Sequence, residues 1–291
     1  MNTTELLAKV RRLEIKTKGL SKHLFSGDYH SAFKGRGMSF AEVRAYQYGD
    51  DVRSIDWNVT ARTDEPYIKQ FEEERELTVM LVADVSGSVY FGSEGVKKND
   101  WITELCAVIG FSASSNNDKV GLILFSDKIE LFIPPKKGRS HILRIIRELL
   151  HFEGGQRETD IALALRYLNN VQKKKSICFL LTDFVSKPYA TPLRIAAKRH
   201  DLIGLGVFDK MEKQLPPRGL IRGKYAETGE SLLLDTSSSG INEQWNNAYS
   251  QHISDTKTML NKAGSDLLIL ETGEPYTTIL HQFFKTRASR K

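Results

Sequence analysis

Leu77 to Ser88, LTVMLVADVSGS, restricts the fold of this chain more than any other stretch. A continuous run of Val, Leu, Met and Ala with no polar alternation is the pattern of a strand covered on both faces, as in a parallel sheet. The run ends in Asp84, followed at alternate positions by Ser86 and Ser88 with Gly87 between them. In an open α/β sheet ligands collect at the carboxyl ends of the strands. One carboxylate and two hydroxyls are hard oxygen donors, which suit Mg²⁺ far better than zinc or copper.

Downstream, apolar runs and amphipathic stretches alternate, as expected for a doubly wound, mostly parallel sheet with helices on both faces. Strands are expected at 77–84, 119–125, 128–133, 176–182, 202–208 and 266–270. Helices are expected at 99–115, 139–150, from Thr159–Asp160 to about 170, at 190–199, at 240–262 with a stop at Gly264, and at 276–287. Residues 219–235 read as a β-hairpin insertion. Residues 1–76 have shorter apolar runs and more charge, and read as a smaller unit of short strands and a helix, packed against the 77–291 domain without a flexible linker.

With 291 residues, 40% hydrophobic and 27% charged, the chain can bury one sizeable core. No apolar run approaches the roughly 18 residues needed to cross a bilayer. The amino terminus, with Leu6, Leu7, Val10 and Leu13 at helical spacing beside Lys9, Arg11 and Arg12, reads as an amphipathic helix rather than a secretory signal, docked on its own domain or, as the less common alternative for a basic helix, lying on a membrane surface. Cys106 and Cys178 fall inside a predicted helix and strand, and are expected as reduced core residues, which fits a cytoplasmic protein. The net charge of +6 and the scattered basic clusters lack interleaved aromatics, so nucleic acid is not an expected partner. The seven histidines have no ligand spacing. The nearest approach to a phosphate-binding loop, Gly219 to Lys224 followed by Tyr225, has the wrong spacing and no Ser or Thr.

The alternation argument carries Asp84, Ser86 and Ser88, Thr159 and Asp183 to one edge of the sheet. Together, Asp84-Val85-Ser86-Gly87-Ser88, Thr159 and Asp183 resemble the metal-ion-dependent adhesion site of von Willebrand factor A domains, over roughly residues 77–209. The preceding segment narrows the resemblance. Arg44, Tyr46, Gly49-Asp50-Asp51, Arg53, Ile55-Asp56-Trp57 and Ala61-Arg62, with Gly35 and Gly37 upstream and Glu227-Thr228-Gly229 downstream, are similar to the bacterial DUF58 family over almost the whole chain.

The resemblance implies that Ser86 and Ser88 bind Mg²⁺ directly, that Thr159 binds directly or through water, and that Asp84 and Asp183 hold coordinating waters. A cation so placed is poorly neutralised and captures an Asp or Glu of a protein partner. The family also implies work alongside a MoxR-type AAA+ ATPase, as a non-enzymatic adaptor in remodelling, maturation or assembly. One departure is Gly154-Gly155-Gln156-Arg157-Glu158, where many relatives place glycines immediately before the threonine.

Three other readings stand beside this one. Ser and Asp after a strand often only cap the next helix. A scaffold with a degenerate site would make metal-independent contacts. A Mg²⁺-dependent phosphatase or phosphotransferase would use Asp84 as nucleophile, though position 86 is Ser where a second acid is usual. The Arg44 to Arg62 cluster reads as a rigid polar joint, with Asp50, Asp51 and Asp56 paired to Arg44, Arg53 and Arg62 around a buried Trp57, or else as a recognition surface.

Overall fold

The computed structural model describes residues 8, 10–14, 39–63, 65–72, 76–93, 95–152, 158–224 and 229–289. The chain divides into two compact units, Phe33–Leu77 and a larger one comprising Met1–Ala32 and Thr78–Lys291.

The larger unit is built on a six-stranded sheet. Its strands are β3 (Thr78–Asp84), β4 (Lys119–Phe125), β5 (Ile129–Lys136), β6 (Ile177–Thr182), β7 (Asp201–Phe208) and β10 (Asp266–Glu271), in the spatial order β10-β7-β6-β3-β4-β5. Every neighbouring pair is parallel except β4 and β5, which form an antiparallel edge. The expected α/β architecture is therefore present. β3 is buried along Val79–Asp84 and β6 throughout, as continuous apolar runs require. From β3 the chain moves to β4 on one side and returns to β6 on the other, so the winding reverses between β3 and β6. The carboxyl ends of those two strands flank the crevice where such sheets bind ligands.

Helices cover both faces. The helices of this unit are α2 (Lys98–Ser115), α3 (Arg139–His151), α4 (Ile161–Val171), α5 (Ala190–Arg199), the short α6 (Lys210–Lys213), α7 (Ser239–Ala263) and α8 (Tyr276–Ser289). α2 packs on α3 and, through Trp101 against Tyr276, on α8, while Phe179 of β6 meets Phe284. On the other face α4, α5 and α7 close over Met80, Val82, Ile123 and Leu180 with Leu165, Leu168, Leu193 and Leu260. Each such side chain contributes about 1.5–3 kcal/mol by leaving water. Cys106 and Cys178 are free and buried in these layers. α7 ends where expected, at Gly264, whose φ of +79° is the left-handed conformation that closes a helix.

The end of β5 differs from the sequence reading. β5 runs on through Pro134 and Pro135 to Lys136, because an edge strand has one side on which a missing N–H costs nothing. The strand β3 stops at Asp84 and the chain turns. Asp84 Oδ1 accepts from the backbone N–H of Ser86 at 2.8 Å, which bends the chain, and Gly87–Tyr90 follows as a 3₁₀ turn.

Residues 8 and 10–14 are helical; Val10 is buried and Glu14 pairs with Arg139 of α3, so this segment docks on the larger unit, while Leu6 and Leu7 lie outside the described residues. The hairpin of β8 (Leu220–Lys224) and β9 (Ser231–Asp235) forms as expected; Glu227 and Thr228 lie outside the described residues. Among the described residues no helix is long and apolar enough to cross a membrane.

The smaller unit contains β1 (Ser39–Ala45) and β2 (Tyr67–Glu72), an antiparallel pair with a bulge near Phe40, and the seven-residue helix α1 (Trp57–Thr63). These strands are as long as those of the main sheet, not shorter as expected, since pairing with each other satisfies their backbones without an apolar run. Gly35 and Gly37 lie outside the described residues.

Gly204 of β7 has no room for a side chain: a Cβ would meet Leu260 at 2.6 Å and Phe184 at 2.7 Å. Gly204→Ala should therefore lower stability by about 1–3 kcal/mol, read by urea denaturation.

Candidate functional site

Asp84 ends β3 and Asp183 follows β6 on the adjacent strand, so parallel pairing alone brings both carboxylates to one crevice. Asp84 is wholly buried. Its Oδ2 accepts from the Thr182 hydroxyl at 2.6 Å, and its Oδ1 accepts from Ser86 N–H. Ser86 Oγ lies 3.3 Å from Ser88 Oγ, and Ser88 is near enough to Asp183 to favour its charged form. Asp84, Ser86, Ser88 and Asp183 thus form one connected set, spanning two strand ends.

Thr159 reaches the same edge. The Ser186 hydroxyl, three residues after Asp183, donates to the Thr159 carbonyl at 3.0 Å and accepts from Ile161 N–H at 3.0 Å, tying the loop before α4 to the loop after β6. Asp160, not Thr159, caps α4, accepting from Leu163 N–H at 2.8 Å. Thr159 is therefore not the cap of α4, because the next residue already fills that role. Gly154 to Arg157 lie outside the described residues; Glu158 is half exposed and pairs with Lys187 at 2.6 Å.

The sequence reading missed Lys98, the first residue of α2. Its side chain is fully buried, with Nζ 2.8 Å from Asp183 Oδ2 and 2.6 Å from Glu212 Oε1 of α6. The signal was present: Lys98, Ile102, Leu105 and Ile109 share one helical stripe, and all four are buried. Glu212 in turn accepts from Asp209 N–H at 2.7 Å. Asp209 accepts from Ser93 N–H at 2.8 Å and from the Thr272 hydroxyl at 2.9 Å. Phe184, next to Asp183, has φ of +62°, a costly conformation for a bulky residue that is held by burial of its ring and by its N–H reaching Thr182 Oγ1 at 3.3 Å.

Charge in this crevice is unbalanced. Burial, and then the negative charge of Asp183, push the Asp84 carboxyl up to about 7, only partly offset by the donors Thr182 and Ser86. Burial would raise Asp183 too, but the Lys98 ammonium and hydrogen bonds from Lys98, Ser88 and Val185 N–H hold it below the usual carboxylate range. Burial raises Glu212 against the pull of Lys98. Lys98 itself stays charged: burial favours its neutral form, and the two carboxylates more than offset that. The one ammonium pairs with Asp183 and Glu212, and among the described residues nothing of opposite charge touches Asp84, so the excess is negative.

The donors fit a hard divalent cation. The hydroxyls of Ser86, Ser88 and Thr159 with the two aspartates are all oxygen, and the uncompensated charge on Asp84 calls for a positive partner. Among the described residues no group of three His, Cys, Asp or Glu gathers as a metal set, so a cation here would depend on the hydroxyls.

In the small unit, Arg44 grips Asp50 with two hydrogen bonds of 2.9 Å, the bidentate pair expected. Asp51 instead accepts from Arg53 N–H, and Asp56 accepts from Asn58 and Val59 N–H, both capping short helical turns. Trp57, expected buried, is 68% exposed, because α1 is one short helix with no buried residue of its own. Tyr46 N–H bonds the Pro66 carbonyl, and the side chains of Arg53 and Arg62 are exposed.

Stability should report the buried charge of Asp84. Its folded-state carboxyl binds a proton that the unfolded chain releases near the ordinary value of 3.8, so the contribution of Asp84 to stability is fullest below about pH 4, falls as pH rises toward about 7 and is level above. Asp84→Asn removes that dependence. In cation-free buffer the variant should gain on the natural protein across this window by up to about 4 kcal/mol, measured by urea denaturation; parallel pH curves would contradict it.

A family model described as "Protein of unknown function DUF58" matches residues 42–255. An uncharacterized protein of Mycobacterium tuberculosis is 29% identical over 289 residues, covering 97% of this chain and 90% of that one. Among solved structures, the conserved hypothetical protein BatB from Bacteroides thetaiotaomicron aligns at 15% identity and a TM-score of 0.47, covering 74% of this chain and all of that one. The VWA domain of SpRpn10 aligns at 11% identity and a TM-score of 0.38, over 71% of this chain and 94% of that one. Likeness at this level carries nothing about activity. With the family model matched across most of its length, this chain belongs to the DUF58 family.

Proposed function

We propose that this protein is a non-enzymatic adaptor that binds protein partners through a divalent cation, Mg²⁺ by donor chemistry, held at the carboxyl ends of β3 and β6. The observation that carries the reading is the buried, negatively unbalanced Asp84–Asp183 pair, bridged by the hydroxyls of Ser86 and Ser88. Ser86, Ser88 and Thr159 would hold the ion, with Asp84 and Asp183 orienting its waters. When bound, the cation supplies a positive centre that attracts a carboxylate.

The surroundings support a protein as the other side of that contact. Phe91 and Val185, on the loops that follow Ser88 and Asp183, are 39% and 53% exposed, apolar flanks of the kind protein interfaces bury. A cleft of about 680 Å³ that includes Ser93 is lined by Lys210, Arg218, Arg222 and Lys213, the last paired with Glu271 at 3.6 Å, and this net basic lining suits an acidic partner. The MoxR-type AAA+ ATPase enters this proposal through the family resemblance, as the source of energy for remodelling or assembly.

A phosphatase reading finds less support. Asp84 is fully buried and each of its oxygens already accepts a hydrogen bond, so the access that a nucleophile needs to reach a phosphorus atom is lacking. A metal-independent scaffold is favoured by one observation, the Lys98 ammonium already paired with Asp183.

Ser86→Ala and Thr159→Ala should each weaken Mg²⁺ binding in calorimetry by tenfold or more, about 1.4 kcal/mol. Capture of a co-expressed MoxR-type ATPase or its client should fall with them and with chelator, while circular dichroism stays unchanged. Capture that survives excess chelator in the natural protein would favour the scaffold instead. Aryl phosphate turnover lost in Asp84→Asn would favour the phosphatase.

A further inference from the structure

Lys98 occupies an unusual place. A fully buried lysine is rare unless paired, and this one stands at the first turn of α2 with its ammonium between Asp183 and Glu212. Both carboxylates are tied from behind. Glu212 is fixed by Asp209 N–H, and Asp183 Oδ1 by Val185 N–H at 3.1 Å. The ammonium therefore sits in a preset slot between two anchored acids. It is also joined to the crevice through Asp183, which accepts from Lys98 Nζ at 2.8 Å and follows β6 beside the Asp84 end of β3.

We propose that Lys98 is a resident cation that competes with the divalent ion for Asp183 and thereby makes ion binding conditional on the partner. This rests on the cation-dependent reading above. Affinity at oxygen sites for hard cations follows the number of ligand charges and the rigidity of the site. With Lys98 in place, one of the two aspartates flanking the hydroxyls is already neutralised, so the ion meets a single uncompensated carboxylate, Asp84. A carboxylate brought by a partner restores the missing negative charge. Ion and partner then bind with positive coupling, each raising the affinity of the other by the same factor. The same ammonium holds Glu212, so α6, whose Met211 carbonyl accepts from Trp245 Nε1 of α7 at 3.1 Å, is linked to the state of the site.

The test is Mg²⁺ titration by calorimetry of the natural protein, Lys98→Gln, Lys98→Arg and the double variant K98Q/E212Q, each checked by circular dichroism, with Mg²⁺-dependent thermal shift as a second readout. Gln keeps a donor to Asp183 but carries no charge, and the double variant leaves Glu212 without an unpaired charge should the single variant not fold. Lys98→Gln and the double variant should bind Mg²⁺ at least tenfold more tightly than the natural protein, and Lys98→Arg should stay near it. Added acetate should raise Mg²⁺ affinity in the natural protein more than in Lys98→Gln. Folded variants with the natural affinity overturn the competitor role. No Mg²⁺ binding by the natural protein or by any charge-neutral variant overturns the cation-dependent reading itself, and with it this inference. Binding that appears only when Lys98 is neutralised supports the competitor role.

Discussion

Two parallel strands in the middle of the sheet, β3 and β6, lie side by side with almost every residue buried, and that adjacency is what the rest of the site depends on. Residues leaving the carboxyl ends of adjacent parallel strands emerge together. Here those residues are aspartates, and the chain reverses its winding direction between them, so no crossover helix fills the space above. Burial of the strands supplies the stability; the two acids at their ends are the part of the structure that burial alone opposes.

How each acid is accommodated differs, and the difference gives the site its chemistry. Asp183 has the Lys98 ammonium, shared with Glu212, and a backbone donor, which favour its ionised form. Asp84 has only neutral donors, a hydroxyl and an N–H, which satisfy its hydrogen bonds without cancelling its charge. A hydrogen-bonded but uncompensated buried carboxylate needs either a proton or a cation. Ser86, Ser88 and the Thr159 loop place hydroxyl groups beside that need. The strained Phe184 conformation follows directly after Asp183, where a burial-locked backbone can hold such a conformation.

Much of this was legible in the linear chain. Period and punctuation located the strands and helices of the larger unit to within a few residues, since long apolar runs and Gly264 leave little freedom. The Asp84-Val85-Ser86-Gly87-Ser88 turn, Thr159 and Asp183 were legible because each interrupts or follows an apolar element with a polar residue. The prolines of β5 misled, because a residue pattern does not say whether a strand lies at an edge. Trp57 misled for a related reason: a large aromatic amid charges suggests a core, but a single short helix has none to offer.

The sequence by itself determined the fold class, the order of elements and which oxygen donors end up at the carboxyl edge, since alternation and handed crossovers leave few topologies for such a pattern. The helical stripe marks Lys98 as inward-facing, but tertiary structure alone decided that Asp183 and Glu212, distant in the chain, hold it, and that Asp160 rather than Thr159 caps α4. A lysine at the start of a helix stays solvated until packing removes the water. Only then do its charge, and the acids that must hold it, become part of the site.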